Sequence, residues 1–348
     1  MPPGGLPPPN LPPPSGRAAT PQGARPQRAP RKRRWWLRIP GILLLVWLLF
    51  LIAVPLWGWN RIDTVDAEPD GERPGDQPGT TYLIVGSDSR EGLDAEQREE
   101  LSTGEVAGSR TDTIMLLHIG DGKPVLLSIP RDSPVDIPGR GNGKINSAFS
   151  GDGGGPELLV ETVEQNTGIR VDDYIEIGFG GFVDIVDGLG GVEICPKSAI
   201  DDPKAGLDNL EKGCQEADGV TALGYARTRK FALADLNRVQ NQREVITAIG
   251  RKAASPWTVL NPWRYLQVVR SGTGSLTIGE NVGPISLGRF LWNLADVTGG
   301  SGLSCTVPNT ITSTSLQWDA DRADRLLELI ATDSTDDIGK ALCTRSGQ

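Results

Sequence analysis

The sequence predicts an α/β protein: a layered domain with a central mixed β-sheet flanked by helices, preceded by a single transmembrane helix. Three observations carry this reading. From Ile39 to Trp59 the chain runs 21 residues without a charge. From Thr81 onward, short apolar runs rich in β-branched residues alternate with helical stretches. The chain's charge also splits at the apolar run, basic before it and acidic after it.

Residues 1–38 hold eight Lys or Arg, no acid, and eleven of the 27 prolines within their first thirty positions. With almost nothing apolar to bury, they read as an extended, disordered arm. The stretch 39–59 follows, and at about 1.5 Å per residue a helix of that length matches a hydrocarbon core of about 30 Å. It exceeds the usual apolar region of a signal peptide, no small-residue cleavage site follows, and Trp35, Trp36, Trp57 and Trp59 flank it as interfacial anchors. A retained span is therefore expected over a cleaved signal or a buried core helix. The basic cluster Arg31 to Arg34 places the N-terminus in the cytoplasm and the rest outside. Removing the eight positive charges of the arm from the whole-chain −9 leaves −17 beyond Arg38, with no sustained basic stripe, which argues against nucleic acid.

Residues 60–80 are polar and rich in Pro, Gly and acid, and read as a linker. One domain is expected over 81–348. Strands are predicted at Thr81 to Val85, Thr113 to Ile119, Pro124 to Ile129, Tyr174 to Ile177 and Val192 to Cys195, with a further β stretch around Cys305. Their near-continuous apolar character implies burial on both faces. Helices are predicted at Pro156 to Gln165, Phe179 to Leu189, Asp235 to Ala254, Trp257 to Val269, Leu287 to Val297 and Ala320 to Ala331. Cys195, Cys214, Cys305 and Cys343 all lie beyond the span and show no CxxC spacing, so disulfides are favoured over zinc. Of the three possible pairings, the two local in sequence are expected, Cys195 with Cys214 and Cys305 with Cys343.

The single histidine, His118, lies inside an apolar strand, which leaves no serine-histidine triad or multi-histidine metal site, and a packing role is expected for it. What remains is a recurrent pairing of Asp and Arg at strand ends: Ser87-Asp88 after the first strand, Arg110-Thr111-Asp112 before the second, Arg131-Asp132 after the third. Ligands of layered α/β sheets collect at such ends. Asp88 and Asp112 offer hard oxygen ligands of the kind Mg²⁺ takes, with phosphate oxygens completing its shell, or they cap turns and pair with neighbouring Arg. A second cluster is Arg227, Arg229 and the helix carrying Asp235, Arg238 and Gln242 on one face. Guanidinium groups match phosphate oxygens in pairs and keep their charge, which suits a pyrophosphate.

In order and spacing, GSDSR, RTDTIML, SIPRDSPVDIPG, KINSAF, GGPELLVETVEQNTGI, DYIEIGFGGFVDIVDGLGGVEI and YARTRKFALADLNRVQNQ resemble the LytR-CpsA-Psr family of cell-wall phosphotransferases, from about Thr81 to Ile249. The resemblance implies transfer of a glycopolymer from a polyprenyl-pyrophosphate carrier in the membrane lipid to peptidoglycan, with Mg²⁺ or Mn²⁺ as helper. It implies Asp88 and Asp112 as metal ligands; Arg110, Arg131, Arg227, Arg229, Arg238 and Gln242 around the pyrophosphate; and Arg131, Asp235 and Arg238 at the reacting centre. Two departures stand out: the segment Phe231 to Asp235 is short, and Asn241 replaces a frequent Arg, which is expected to alter contact with the polymer. The helices at Leu158 to Val163 and Phe179 to Leu189 are candidates for an apolar groove around the lipid tail. A hydrolase using water as acceptor, or a non-catalytic wall- or lipid-binding scaffold, are the alternative readings.

Overall fold

A computed structural model describes residues 38–88, 111–228, 234–311 and 316–343, with side chains left aside at 234–239 and 311. The chain divides into two units, residues 1–49 and 50–348. Helix α1 spans Ile39–Trp59, contains Pro55 and is long and apolar enough to cross a membrane. Family resemblance and this helix together point to membrane anchoring.

The centre of the second unit is a seven-stranded mixed sheet. Its strands in chain order are β1 (Asp63–Val65), β2 (Thr80–Ser87), β3 (Thr111–Ile119), β4 (Val125–Ile129), β5 (Asp173–Ile177), β6 (Leu276–Gly279) and β7 (Leu303–Thr306). Their spatial order is β1-β6-β5-β2-β3-β4-β7. The pairs β1/β6, β2/β5 and β4/β7 are parallel, while β5/β6, β2/β3 and β3/β4 are antiparallel.

The apolar runs of β2, β3 and β4 are continuous because both faces are covered. On one face Leu83, Val85, Leu116 and Leu127 meet α2 (Pro156–Thr167) and α9 (Ala320–Ala331) through Leu159, Val163, Leu326 and Ile330. On the other, Tyr82, Ile84, Met115 and Leu117 meet Leu287 and Phe290 of α8 (Pro284–Gly299). A third cluster joins Val186 of α3 (Phe179–Gly188), Tyr225 of α4 (Gly219–Arg227) and Val245 of α5 (Ala234–Ala253). Helix α2 starts with Pro156 at its first turn and stops at Gly168, whose φ of 67° is the left-handed conformation glycine adopts without strain.

Three expectations need correction. The segment 60–80 is not a free linker: Asp63–Val65 pairs with Thr277–Gly279, and Arg73 donates to Glu164 at 2.8 Å and to the Val171 carbonyl at 2.6 Å. The predicted helix Trp257 to Val269 is two, α6 (Pro256–Leu260) and α7 (Pro262–Thr273), because Pro262 cannot continue a helix and Asn261 caps the second by accepting from the N–H groups of Trp263 and Arg264. Val192–Ile194 does not join the central sheet but pairs with Gln215–Ala217. The disulfides run Cys195–Cys214 and Cys305–Cys343, spanning 19 and 38 residues. Closing loops of those lengths removes unfolded-state entropy worth about 3 and about 4 kcal/mol in the chain-entropy model.

Candidate active site

The cleft forms where β2 and β5 end and β3 begins. At the end of β2, Gly86 lets two strands approach closely: a Cβ there would lie 2.9 Å from the Thr113 Cβ. Gly86, Ser87, Asp112 and Thr113 make the floor, with Ile177 and Gly178 beyond β5. Phe179 and Phe182 of α3, Leu223 and Ala226 of α4 and Ile246 of α5 make apolar walls, and Arg227 and Gln242 complete the lining. The cavity measures about 640 Å³, its open mouth included. Its chemistry is an apolar trough with a few polar groups, Ser87, Asp112, Thr113, Arg227 and Gln242, in its lining, the usual constitution of a ligand site.

The polar groups are organised by ion pairs. Asp112, second residue of β3, is paired with Arg131, which follows β4. Arg131 Nε also donates to Asp132 Oδ2 at 3.3 Å, and Lys144 Nζ donates to Asp132 Oδ1 at 2.6 Å. Burial alone would raise the Asp132 carboxyl, but the hydrogen bond from Lys144 and the positive charge of Arg131 outweigh it and hold it below the usual carboxylate range. The Arg227 guanidinium lies 4.8 Å from the centroid of the Phe179 ring, a cation over an aromatic face. This contact sets the charge against the apolar wall.

Ser87 is fully buried at the cleft floor, and its Oγ has no hydrogen-bond partner among the described residues. Buried hydroxyls are normally paired. An orphan next to Asp88 in the chain and across from Thr111 marks a place where an incoming oxygen or cation would be accepted. Among the described residues no group of three carboxylates converges here; the one three-ligand grouping, Glu193 with Cys195 and Cys214, has both sulfurs consumed in a disulfide. The carboxylates that could hold a cation here are Asp112, which lines the cleft, and Asp88, which follows Ser87 in the chain.

The sequence-predicted residues fare unevenly. Asp112, Arg227 and Gln242 line the cleft, Arg131 is tied to it through Asp112, and Asp88, half-buried, directly follows Ser87. Arg110 and Arg229 lie outside the described residues, as does most of the short segment 231–235. Asp235 and Arg238 fall within the first turns of α5, their side chains outside the described part. Of the two groove candidates, α3 lines the cleft, while Leu159, Val160 and Val163 of α2 are buried in the core on one sheet face. Asn241, expected to alter contact with the polymer because it replaces a frequent Arg, is buried and donates to the Tyr225 carbonyl at 3.0 Å, tying α4 to α5. Sequence reading missed Glu244, which accepts from the Tyr225 hydroxyl at 3.0 Å and the Cys195 N–H at 2.6 Å. Its only signal is a carboxylate on an otherwise core-facing helix stripe. His118 packs as expected: Nδ1 lies 2.9 Å from Thr81 Oγ1 and Nε2 3.2 Å from Asp333. At about 3.4 Å per strand residue it stands roughly 20 Å from Asp112, at the far end of β3.

Comparison with known proteins places these features in a lineage. A model of the LytR_cpsA_psr family matches residues 62–276. Probable cell wall biosynthesis protein LcpB of Corynebacterium glutamicum is 48% identical over 259 residues, 74% of this chain and 60% of LcpB. Polyisoprenyl-teichoic acid–peptidoglycan teichoic acid transferase TagU of Oceanobacillus iheyensis is 34% identical over 65% of this chain and 72% of its own. The chain spans 60% of LcpB and half of LcpA, a second C. glutamicum relative. Among solved structures, a LytR-Csp2A-Psr enzyme from Actinomyces oris shares the fold with a TM-score of 0.63 at 22% identity, covering 78% of this chain and 96% of that one. TagT bound to LI-WTA superposes with a TM-score of 0.54 at 25% identity, over 76% of this chain and 93% of that one.

Proposed function

The chain belongs to the LytR_cpsA_psr family, and from that premise we propose that it is a membrane-anchored phosphotransferase moving a glycopolymer from a polyprenyl-pyrophosphate carrier to peptidoglycan. Its N-terminus lies in the cytoplasm and its cleft faces the wall. The observation that carries the reading is the cleft itself: an apolar trough walled by Phe179, Phe182, Leu223 and Ile246, whose lining also holds Arg227, Gln242 and Asp112, the last paired with Arg131. A polyprenyl pyrophosphate has that same division, a hydrocarbon tail joined to a doubly charged head. The names of relatives such as TagU, a teichoic acid transferase, support the substrate class.

In this reaction an acceptor sugar hydroxyl attacks the phosphorus that bears the glycan. A phosphodiester to peptidoglycan forms, the bond to the bridging oxygen breaks, and polyprenyl phosphate leaves with that oxygen, while the hydroxyl proton passes to a base. Such transfers need alignment and charge neutralisation more than covalent help. Arg227 and Arg131 supply fixed positive charge, joined in this reading by Arg110, Arg229 and Arg238. Gln242 donates a neutral hydrogen bond, and Asp235 is the polar partner on the same helix. Because Arg131 is shared between Asp112 and Asp132, the pyrophosphate binds by taking over donors of a guanidinium that has five.

Mg²⁺ or Mn²⁺ fits the donor set: Asp88 and Asp112 would hold it, with the unpaired Ser87 hydroxyl beside them. When bound, such an ion neutralises phosphate charge. The test incubates the full chain in bilayers with a polyprenyl-pyrophosphate-linked glycan, peptidoglycan and Mg²⁺. Covalent glycan on peptidoglycan is the expected product; free glycan phosphate alone would assign a hydrolase, and no turnover of bound lipid would assign a scaffold.

A further inference from the structure

Helix α1 contains Pro55, which has no N–H, so the Leu51 carbonyl four residues earlier loses its helical donor. The Tyr265 hydroxyl of α7 supplies the missing hydrogen bond at 2.8 Å, and the Tyr265 and Phe50 rings lie 5.8 Å apart. Further along, a Cβ on Gly58 would lie 2.9 Å from Thr273 and 3.0 Å from Val269. Thr273 and Val269 thus meet Gly58, and Tyr265 meets Leu51. Helix α7 therefore runs beside the end of α1 in the opposite direction. Its first turn, and α6 before it, lie at or beyond the level of Leu51.

That level is deep. Leu51 precedes the end of α1 by eight residues, about 12 Å at the helical rise. The face of this part of α1 left uncovered by protein is Ile52, Leu56 and Trp57, apolar throughout. Such a face belongs in lipid, where a backbone carbonyl without a donor is costly and a docked tyrosine hydroxyl removes the cost. The α6–α7 turn carries the same character: Trp257 is 63%, Leu260 64% and Trp263 70% exposed. Charge agrees. From Val245 to Gly279 there is no Asp or Glu, while Arg251, Lys252, Arg264 and Arg270 are present, in a part of the chain that is otherwise strongly acidic. An acid-free, tryptophan-bearing, basic segment matches an anionic lipid surface.

We propose that the α6–α7 turn is a second membrane-embedded element, inserting Trp257, Leu260 and Trp263 into the leaflet occupied by the C-terminal half of α1. The inference rests on α1 crossing the bilayer. It has a consequence for the cleft: α7 packs on α3, where Gly188 faces Ser271, and Gly181 of α3 faces Ser275 just past the end of α7. The α3 wall bearing Phe179 and Phe182 then stands one helix layer, about 8–10 Å, from lipid. An apolar-tailed substrate reaches the cleft without its tail crossing water.

All four native cysteines are in disulfides, so one added cysteine can be labelled selectively. Full-length Trp263→Cys, Ile52→Cys and Asp208→Cys variants carry an environment-sensitive fluorophore in vesicles of equimolar phosphatidylcholine and phosphatidylglycerol, with and without doxyl-labelled lipid. Positions 263 and 52 are expected to emit blue-shifted light that doxyl lipid more than halves, while position 208 stays in water and unquenched. Quenching at 52 with aqueous emission at 263 overturns the proposal and leaves the anchor standing. Aqueous emission at 52 overturns the anchor itself and the proposal with it.

Discussion

Arg131 holds two carboxylates at once, and the shape of its side chain explains why a lysine could not. Its planar fork meets Asp112 on one edge and Asp132 on another, whereas an ammonium is a single point of charge. Arg131→Ala is expected to lower the transfer rate by about 10² to 10³, the usual loss for one well-placed charge-stabilising group, and Arg131→Lys to recover only part of it. Single-turnover assays with wall acceptor check both. His118 makes a different prediction. Burial pushes its pKa below the ordinary histidine value, partly countered by Asp333, so the native state resists the proton that the unfolded chain accepts. The stability this burial contributes is present above the ordinary value near 6.5 and is lost as pH falls through the lowered one. Thermal unfolding of wild type beside His118→Gln should show the wild type losing more stability on acidification from neutral pH; parallel curves would contradict this.

The elements show where sequence reading succeeds and where it stops. Strands β2, β3 and β4 announce themselves because burial on both faces makes their apolar runs unbroken, and α2 because Pro156 and Gly168 punctuate it. Strand β1 was hidden. Asp-Thr-Val is too short for any periodicity, and its partner Leu276–Gly279 lies more than two hundred residues away, so only the folded chain makes it a strand. The cleft's polar groups were legible from Asp and Arg at strand ends, and one apolar wall from the stretch Phe179 to Leu189; the part played by Leu223 and Ile246 was not, since they have the spacing of ordinary core. Asn241 drew notice only because it stands where the family often has Arg, and its amide is spent on the Tyr225 carbonyl. Asn241→Ala should leave that carbonyl unpaired and cost about 1–3 kcal/mol in urea unfolding. Gly86→Ala drives a methyl against Thr113 at the strand end, and overpacking of that kind costs about 1–3 kcal/mol as well. Its melting temperature should fall, and the neighbouring Ser87 should shift with it.

For the molecule as a whole, the sheet brings three strand ends together, the helices wall them with hydrocarbon, and α1 is long and apolar enough to anchor the chain in a membrane. The ligand proposed for this arrangement is an amphiphile with a phosphorylated head. The central claim is that this amphiphile donates its glycan to the wall. The measurement that tests it most directly is mass spectrometry of peptidoglycan after incubation with full-length protein, Mg²⁺ and a polyprenyl-pyrophosphate-linked glycan, wild type beside Arg131→Ala with Arg227→Ala. Glycan joined through a phosphodiester by the wild type and not by the double variant is the predicted result; equal linkage by both, or none by the wild type despite bound lipid, would contradict it.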